Sequence, residues 1–173
     1  CLLPGGFGTL DEGLEVLTLI QTGKRDMISV VFLDEPGGGY WRDFERFIRQ
    51  RLLGRGMIDQ ADLSLFRLTD NVGEAVDEIL RFFRVYHGMR YVRDDLVLRL
   101  NRPLDEATLV TLNERFADIV VKGRIRQTGP LAEERDEPEL ADLPRLVFRF
   151  NRHDQGRLRQ LIDCINAAEF REA

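Results

Sequence analysis

The tightest constraint on this chain is an alternation, repeated along its first half, of short apolar runs with longer stretches of helical period. Leu2 and Leu3 run into the glycine loop Pro4 to Gly8. Leu10, Leu14, Leu17 and Ile20 then recur at helical spacing up to Gly23, a suitable left-handed stop. Met27 to Leu33 is a β-branched, nearly continuous apolar run, as in a strand covered on both faces. After the loop Pro36 to Gly39, apolar residues at Trp41, Phe44, Phe47, Ile48 and Leu52 predict an amphipathic helix over Tyr40 to Leu53, closed by Gly54. Leu63 to Leu68 reads as the next strand. Asn71 and Glu74 have the form of a helix N-terminal cap, leading into Ala75, Val76, Ile79, Leu80 and Phe83. Consecutive βα units with short connections imply a parallel sheet with right-handed crossovers and helices on its faces.

The rhythm changes after Gly88. Leu96, Leu98 and Leu100 alternate with Val97, Arg99 and Asn101, the pattern of a strand with one wetter face. Asp105 to Val120 is helical in spacing, Gly123 to Thr128 and Leu146 to Phe150 read as strands, and a last helix runs from about Gln155 to Ala168. The expected fold class is therefore α/β: a partial Rossmann-like parallel sheet with flanking helices over 1–87, then a small α+β module over 88–173. No internal repeat is expected.

Composition narrows the function. A 173-residue chain that is 43% hydrophobic has the material for a globular core. Its net charge of -5 gives no reason to expect nucleic acid as a partner. Cys1 and Cys164 stand at opposite ends with no CxxC pair, so neither a metal site nor a disulfide is expected. No apolar run approaches the length of a membrane span, and a cytoplasmic location is expected. Cys-Leu-Leu-Pro reads as the tail of a buried strand, which implies earlier strands of the same sheet upstream.

The chemistry lies in Cys1-Leu2-Leu3-Pro4-Gly5-Gly6-Phe7-Gly8-Thr9-Leu10-Asp11-Glu12. Glycines let a backbone approach a ligand closely, and the first N–H groups of the following helix lie at the positive end of its dipole. A phosphate suits that place. Two structural alternatives stand beside this reading: a merely tight βα turn, and a capping box in which Thr9 and Glu12 satisfy helix-end N–H groups.

The whole string resembles the PGGxGTxxE signature of the LOG family of cytokinin riboside 5'-monophosphate phosphoribohydrolases, often labelled lysine decarboxylase-like. Pro4, Gly5, Gly6, Gly8, Thr9 and Glu12 match it. Glu15-Val16-Leu17-Thr18, Gln21-Thr22-Gly23-Lys24, Val30 to Leu33, Gly39-Tyr40-Trp41 and Gly56-Met57-Ile58 are similar to later family landmarks, so the resemblance spans Cys1 to about Phe83. It implies that Gly5, Gly6, Gly8 and Thr9 cradle the 5'-phosphate of a nucleoside monophosphate and that Glu12 is the catalytic carboxylate. Asp11 and Glu15 would be bystanders. The implied reaction is hydrolysis of the N-glycosidic bond of AMP or an N6-substituted AMP, without metal or organic cofactor, by a homodimer with its site near the subunit interface. Family enzymes also use an arginine in a basic segment upstream of the glycine loop, for which Arg25 and Arg42 are not assumed substitutes. The isolated segment is accordingly expected to be inactive, an expectation that AMP hydrolysis by it alone would overturn.

The competing functional reading is a non-catalytic nucleotide or molybdenum-cofactor carrier of the same fold, and a third assigns regulation or docking to 88–173. A pyridoxal phosphate role for Lys24 or Lys122 is not expected. Arg90, Arg93, Arg99 and Arg102, and likewise Arg145, Arg149 and Arg152, read as solvated strand faces interrupted by acids. His87 and His153 read as surface residues, and Trp41, Phe44 and Phe47 as packing.

Overall fold

Leu2, the strand β1 (Val31–Leu33) and the strand β2 (Arg67–Thr69) lie side by side in parallel. The N–H of Leu2 donates to the Val31 carbonyl at 2.8 Å and that of Leu33 to the Leu2 carbonyl at 2.9 Å. Three helices accompany them: α1 (Phe7–Gln21), α2 (Tyr40–Phe47) and α3 (Val72–Phe82). This is the computed structural model of the chain, which describes residues 1–134 and 136–168. Two compact units emerge, Cys1–Arg81 with His153–Gln160, and Phe82–Arg152 with Leu161–Ala173.

In the first unit α1 comes close to the strands because Gly13 is buried in their path. A Cβ there would lie 3.0 Å from Cδ2 of Leu2 and 3.3 Å from Cε1 of Phe32. Gly23 ends α1's tail with φ of 67°, as its position predicts. The strands are shorter than the apolar runs. Met27 and Val30 are buried, yet only Val31 to Leu33 find strand partners. The strand expected over Leu63 to Leu68 forms only from Arg67, as β2; Leu63 to Leu65 belong to a 3-10 helix, Gln60–Leu65, which Asp59 and Asp62 start with a reciprocal capping box. The helix from Tyr40 loosens after Phe47 into π turns over Ile48–Leu52, and Gly56 rather than Gly54 takes the left-handed stop, with φ of 69°. The predicted cap of α3 is present, the Asn71 side chain accepting the Glu74 N–H at 3.1 Å.

The helix α5 (Gln155–Ala167) gives its first part, to Gln160, to this unit. Gln160 donates to Ser64 Oγ at 2.9 Å, and the buried Arg159 donates to Glu78 at 2.6 Å. Gly156 is what permits this approach, since a Cβ there would sit 2.3 Å from the carbonyl carbon of Ala61. Gly156→Ala is predicted to destabilise the protein by about 1–3 kcal/mol, because backbone cannot yield as a side chain does. The helix-propensity gain of roughly 1 kcal/mol opposes this but is smaller than a clash at that distance. Chemical denaturation checks it; a variant as stable as the parent would contradict the contact.

The second unit is an antiparallel sheet in the order β3-β4-β6-β5, with β3 (Tyr86–Val92), β4 (Asp95–Leu100), β5 (Val120–Thr128) and β6 (Arg145–Phe150). The strand β3 went unread in the sequence. The helix α4 (Glu106–Arg115) follows β4 as α5 follows β6. The order ββαββα contains a repeat that sequence reading missed. Leu96-Val97-Leu98-Arg99-Leu100-Asn101-Arg102 matches Leu146-Val147-Phe148-Arg149-Phe150-Asn151-Arg152, and each is followed by a helix with leucines at corresponding places, Leu109 and Leu112 against Leu158 and Leu161. The equivalent residues Val97 and Val147 face each other across β4 and β6, so a pseudo-dyad passes between them. On the same operation, the opposed pair Leu96 and Phe148 corresponds to Leu98 and Leu146.

The pseudo-symmetry breaks at the charges. At one end Arg149 Nε meets Asp95 at 3.1 Å. At the other, Asp95's counterpart is Arg145, which faces Arg99, and like charges directly opposite on a sheet repel. Neither arginine is the solvated residue its alternation suggested: Arg99 is 5% and Arg145 0% exposed. The loop between β5 and β6 supplies the missing counter-charge. Glu134 accepts from Arg99 Nη2 at 2.8 Å and from Arg145 Nε at 3.1 Å, and Glu137 accepts from Arg99 Nη1 at 3.0 Å and pairs with Arg90. Leu131 of the same loop packs on Val92, Val97 and Val147.

These contacts set the acid response. The hydrogen bond from Arg99 holds the Glu137 carboxyl down from the usual 4.5 to about 2. Burial alone would raise Glu134, but the Leu131 N–H, Arg145 and Arg99 together hold it below the usual range. Depressed carboxyls contribute stability that is complete above the unfolded value and lost as pH falls through the folded one. We therefore expect this unit to lose stability between about pH 4.5 and about pH 2. Unfolding followed across that range checks it, and Glu137→Gln should flatten the fall.

Candidate active site

The N-cap of α1 is Gly6, with extended φ and ψ of -82° and -158° and no side-chain cap. The N–H groups of Thr9 and Leu10 turn back to the Gly6 carbonyl at 3.1 and 3.2 Å. Those of Phe7 and Gly8 are first-turn donors, which a helix cannot pair internally. Thr9 therefore stands inside the helix, and the capping-box reading of Thr9 with Glu12 is corrected: the helix begins before Thr9, at Phe7. Glu12 is exposed, one turn below Gly8 and on the same side as Thr9. Asp11 and Glu15 are exposed as well.

The glycines divide by role. A Cβ on Gly5 would strike Thr9 Oγ1 at 2.2 Å, so Gly5 lets the Thr9 side chain fold back over the loop. Apart from their immediate neighbours and the helix's own backbone, Gly6 and Gly8 have no heavy atom within 4 Å of where a Cβ would be, so no packing contact requires their bareness.

Two further groups shape the loop. The Tyr40 hydroxyl donates to the Gly5 carbonyl at 2.6 Å. Asp34, 8% exposed, accepts the N–H of Glu35 at 3.0 Å and that of Trp41 at 3.1 Å, fixing the turn that presents Tyr40. Gly38 lies against this carboxylate, 2.4 Å from Oδ1 for an added Cβ, so no larger residue fits. Trp41 is buried, its indole donates to the Leu33 carbonyl at 3.2 Å, and its ring meets Phe32 at 4.6 Å, the packing role expected of it. Phe44 packs on both rings, whereas Phe47 is 54% exposed. Sequence reading passed over Asp34 and Tyr40 as chemistry; an acid ending an apolar strand ahead of a glycine loop was the available signal.

A cleft of about 600 Å³ adjoins the loop, lined by Leu3, Pro4, Leu33, Asp34, Gly39 and Tyr40 among others. In the second unit a groove of about 710 Å³ runs between α4 and β5, but its inward amide, Asn113, is engaged with both the N–H and the carbonyl of Ile125. At the loop, first-turn backbone donors stand one turn from a carboxylate, Glu12. Arg42 is spent on the carbonyls of Gly37 and Gly38. Lys24 and Lys122 are exposed and line none of the clefts described, so neither offers the desolvated amine that a pyridoxal phosphate Schiff base needs. His87 and His153 are exposed, as expected. Among the described residues no group of His, Cys, Asp and Glu is arranged to hold a metal, and no helix is long and apolar enough to cross a membrane.

No curated protein matches the chain. Residues 1–79, which contain the glycine loop and all of α1, match the family described as possible lysine decarboxylase, a match consistent with the LOG-family signature that the first residues resemble.

Proposed function

We propose that the protein is a nucleoside 5'-monophosphate N-glycosidase, hydrolysing AMP or an N6-substituted AMP to the free base and ribose 5-phosphate. The observation that carries this reading is the pairing of Gly6 and Gly8, bare without any internal packing reason, with Glu12 one turn along the same helix. Phosphate is held by first-turn amides and Gly5, Gly6, Gly8 and Thr9, at the positive end of α1. Cleavage at the anomeric carbon builds positive charge on the ribose. Glu12 stabilises that charge or activates water, and a fixed phosphate sets the sugar's distance from it. The active form is a homodimer.

The test is chemical: intact protein with AMP should release adenine and ribose 5-phosphate in equal amounts. AMP bound but recovered unchanged would reject catalysis. The exposure of Lys24 and Lys122 weighs against amino-acid decarboxylation.

A further inference from the structure

The Gly5 carbonyl immediately precedes the N-cap residue of α1, and it is held from outside the loop, by a hydroxyl on the first residue of α2. In a planar trans peptide the C=O and the following N–H point to opposite sides. A Gly5 carbonyl turned to Tyr40 therefore turns the Gly6 N–H away from α2. With the peptide flipped, the carbonyl's negative end would face the ground where the first-turn amides converge, and a bound anion would be repelled. Glycine flanks make such a flip easy, since neither Gly5 nor Gly6 carries a side chain to resist it. Something beyond the loop must choose the orientation. Tyr40 has the means: its ring stands edge-on to Trp41 at 4.7 Å, and the Trp41 N–H is anchored on the buried Asp34.

We propose that Tyr40 is a positioning residue of the anion loop, whose hydroxyl holds the Gly5–Gly6 peptide with its N–H presented to the substrate phosphate. This rests on the phosphate-cradle reading above. The Tyr40 hydroxyl is engaged with the Gly5 carbonyl, so its influence is expected to fall on binding of the phosphate rather than on bond cleavage.

The experiment compares the intact protein with Tyr40→Phe, using inorganic phosphate and AMP as probes and amide NMR and steady-state kinetics as readouts. In the parent, phosphate should shift the amides of Gly6, Phe7 and Gly8. In Tyr40→Phe the response of Gly6 should disappear while those of Phe7 and Gly8 remain. The KM for AMP and the inhibition constant of phosphate should both rise roughly 3- to 10-fold, as expected for one lost hydrogen bond, with kcat little changed. An unaltered thermal midpoint separates this from a general loss of fold. If phosphate shifts the same amides equally in both proteins, the role of Tyr40 is wrong and the cradle stands. If phosphate shifts none of them in the parent, the cradle is wrong and Tyr40's role goes with it.

Discussion

Glu12→Gln is expected to lower kcat for AMP hydrolysis by about 10²- to 10⁴-fold, the usual contribution of a positioned acid or base. Glutamine keeps the shape of the side chain and removes its charge. Glu12 is exposed on α1, so little packing is disturbed and stability should change by less than about 0.5 kcal/mol. Phosphate affinity should hold within about twofold, because the grip belongs to the backbone of the preceding turn. Initial rates of adenine release, with phosphate inhibition measured alongside, check both halves. An unchanged kcat would remove Glu12 from the mechanism.

The second large effect concerns stability. Glu134→Gln leaves Arg99 and Arg145 facing each other with their shared carboxylate gone, and breaking a buried ion pair from one side costs about 3–5 kcal/mol. The pseudo-dyad indicates a compensating change. At the equivalent end of the sheet Asp95, with Asp94 of the adjoining turn, neutralises Arg149. Arg145→Asp should let residue 145 do the same for Arg99, and in that background Glu134→Gln should cost little or even help, since the glutamate would then face an aspartate. The two changes should thus couple strongly in a double-mutant cycle. Simple additivity of the two destabilisations would show that Glu134 does not serve as the counter-charge of this pair.

How much of this was legible in the sequence depended on whether a signal was local. Gly23's stop, the Asn71 cap and α5 are set within a few residues, and the structure agrees with them. Burial of Met27 and Val30 was legible too, but not that pairing would begin only at Val31, which depends on where Arg67 to Thr69 arrive. Leu63 to Leu68 looked like a strand because its apolar content was read without the Asp59 and Asp62 box before it. Arg99 looked solvated because alternation describes one strand alone. Its partners lie 35 and 38 residues away, in the loop between β5 and β6. At the candidate site the loop, Thr9 and Glu12 stood out as a string, whereas Tyr40's bond to Gly5 spans 35 residues and leaves no local mark.

Because Val97 and Val147 are counterparts that touch, the second unit carries its own internal control. A change at residue 99 can be read against the same change at 149 in one molecule, under one set of solution conditions. Arg99→Lys and Arg149→Lys, made separately, compare a buried arginine answered by the acidic loop with a half-exposed one answered by Asp95 and Asp94.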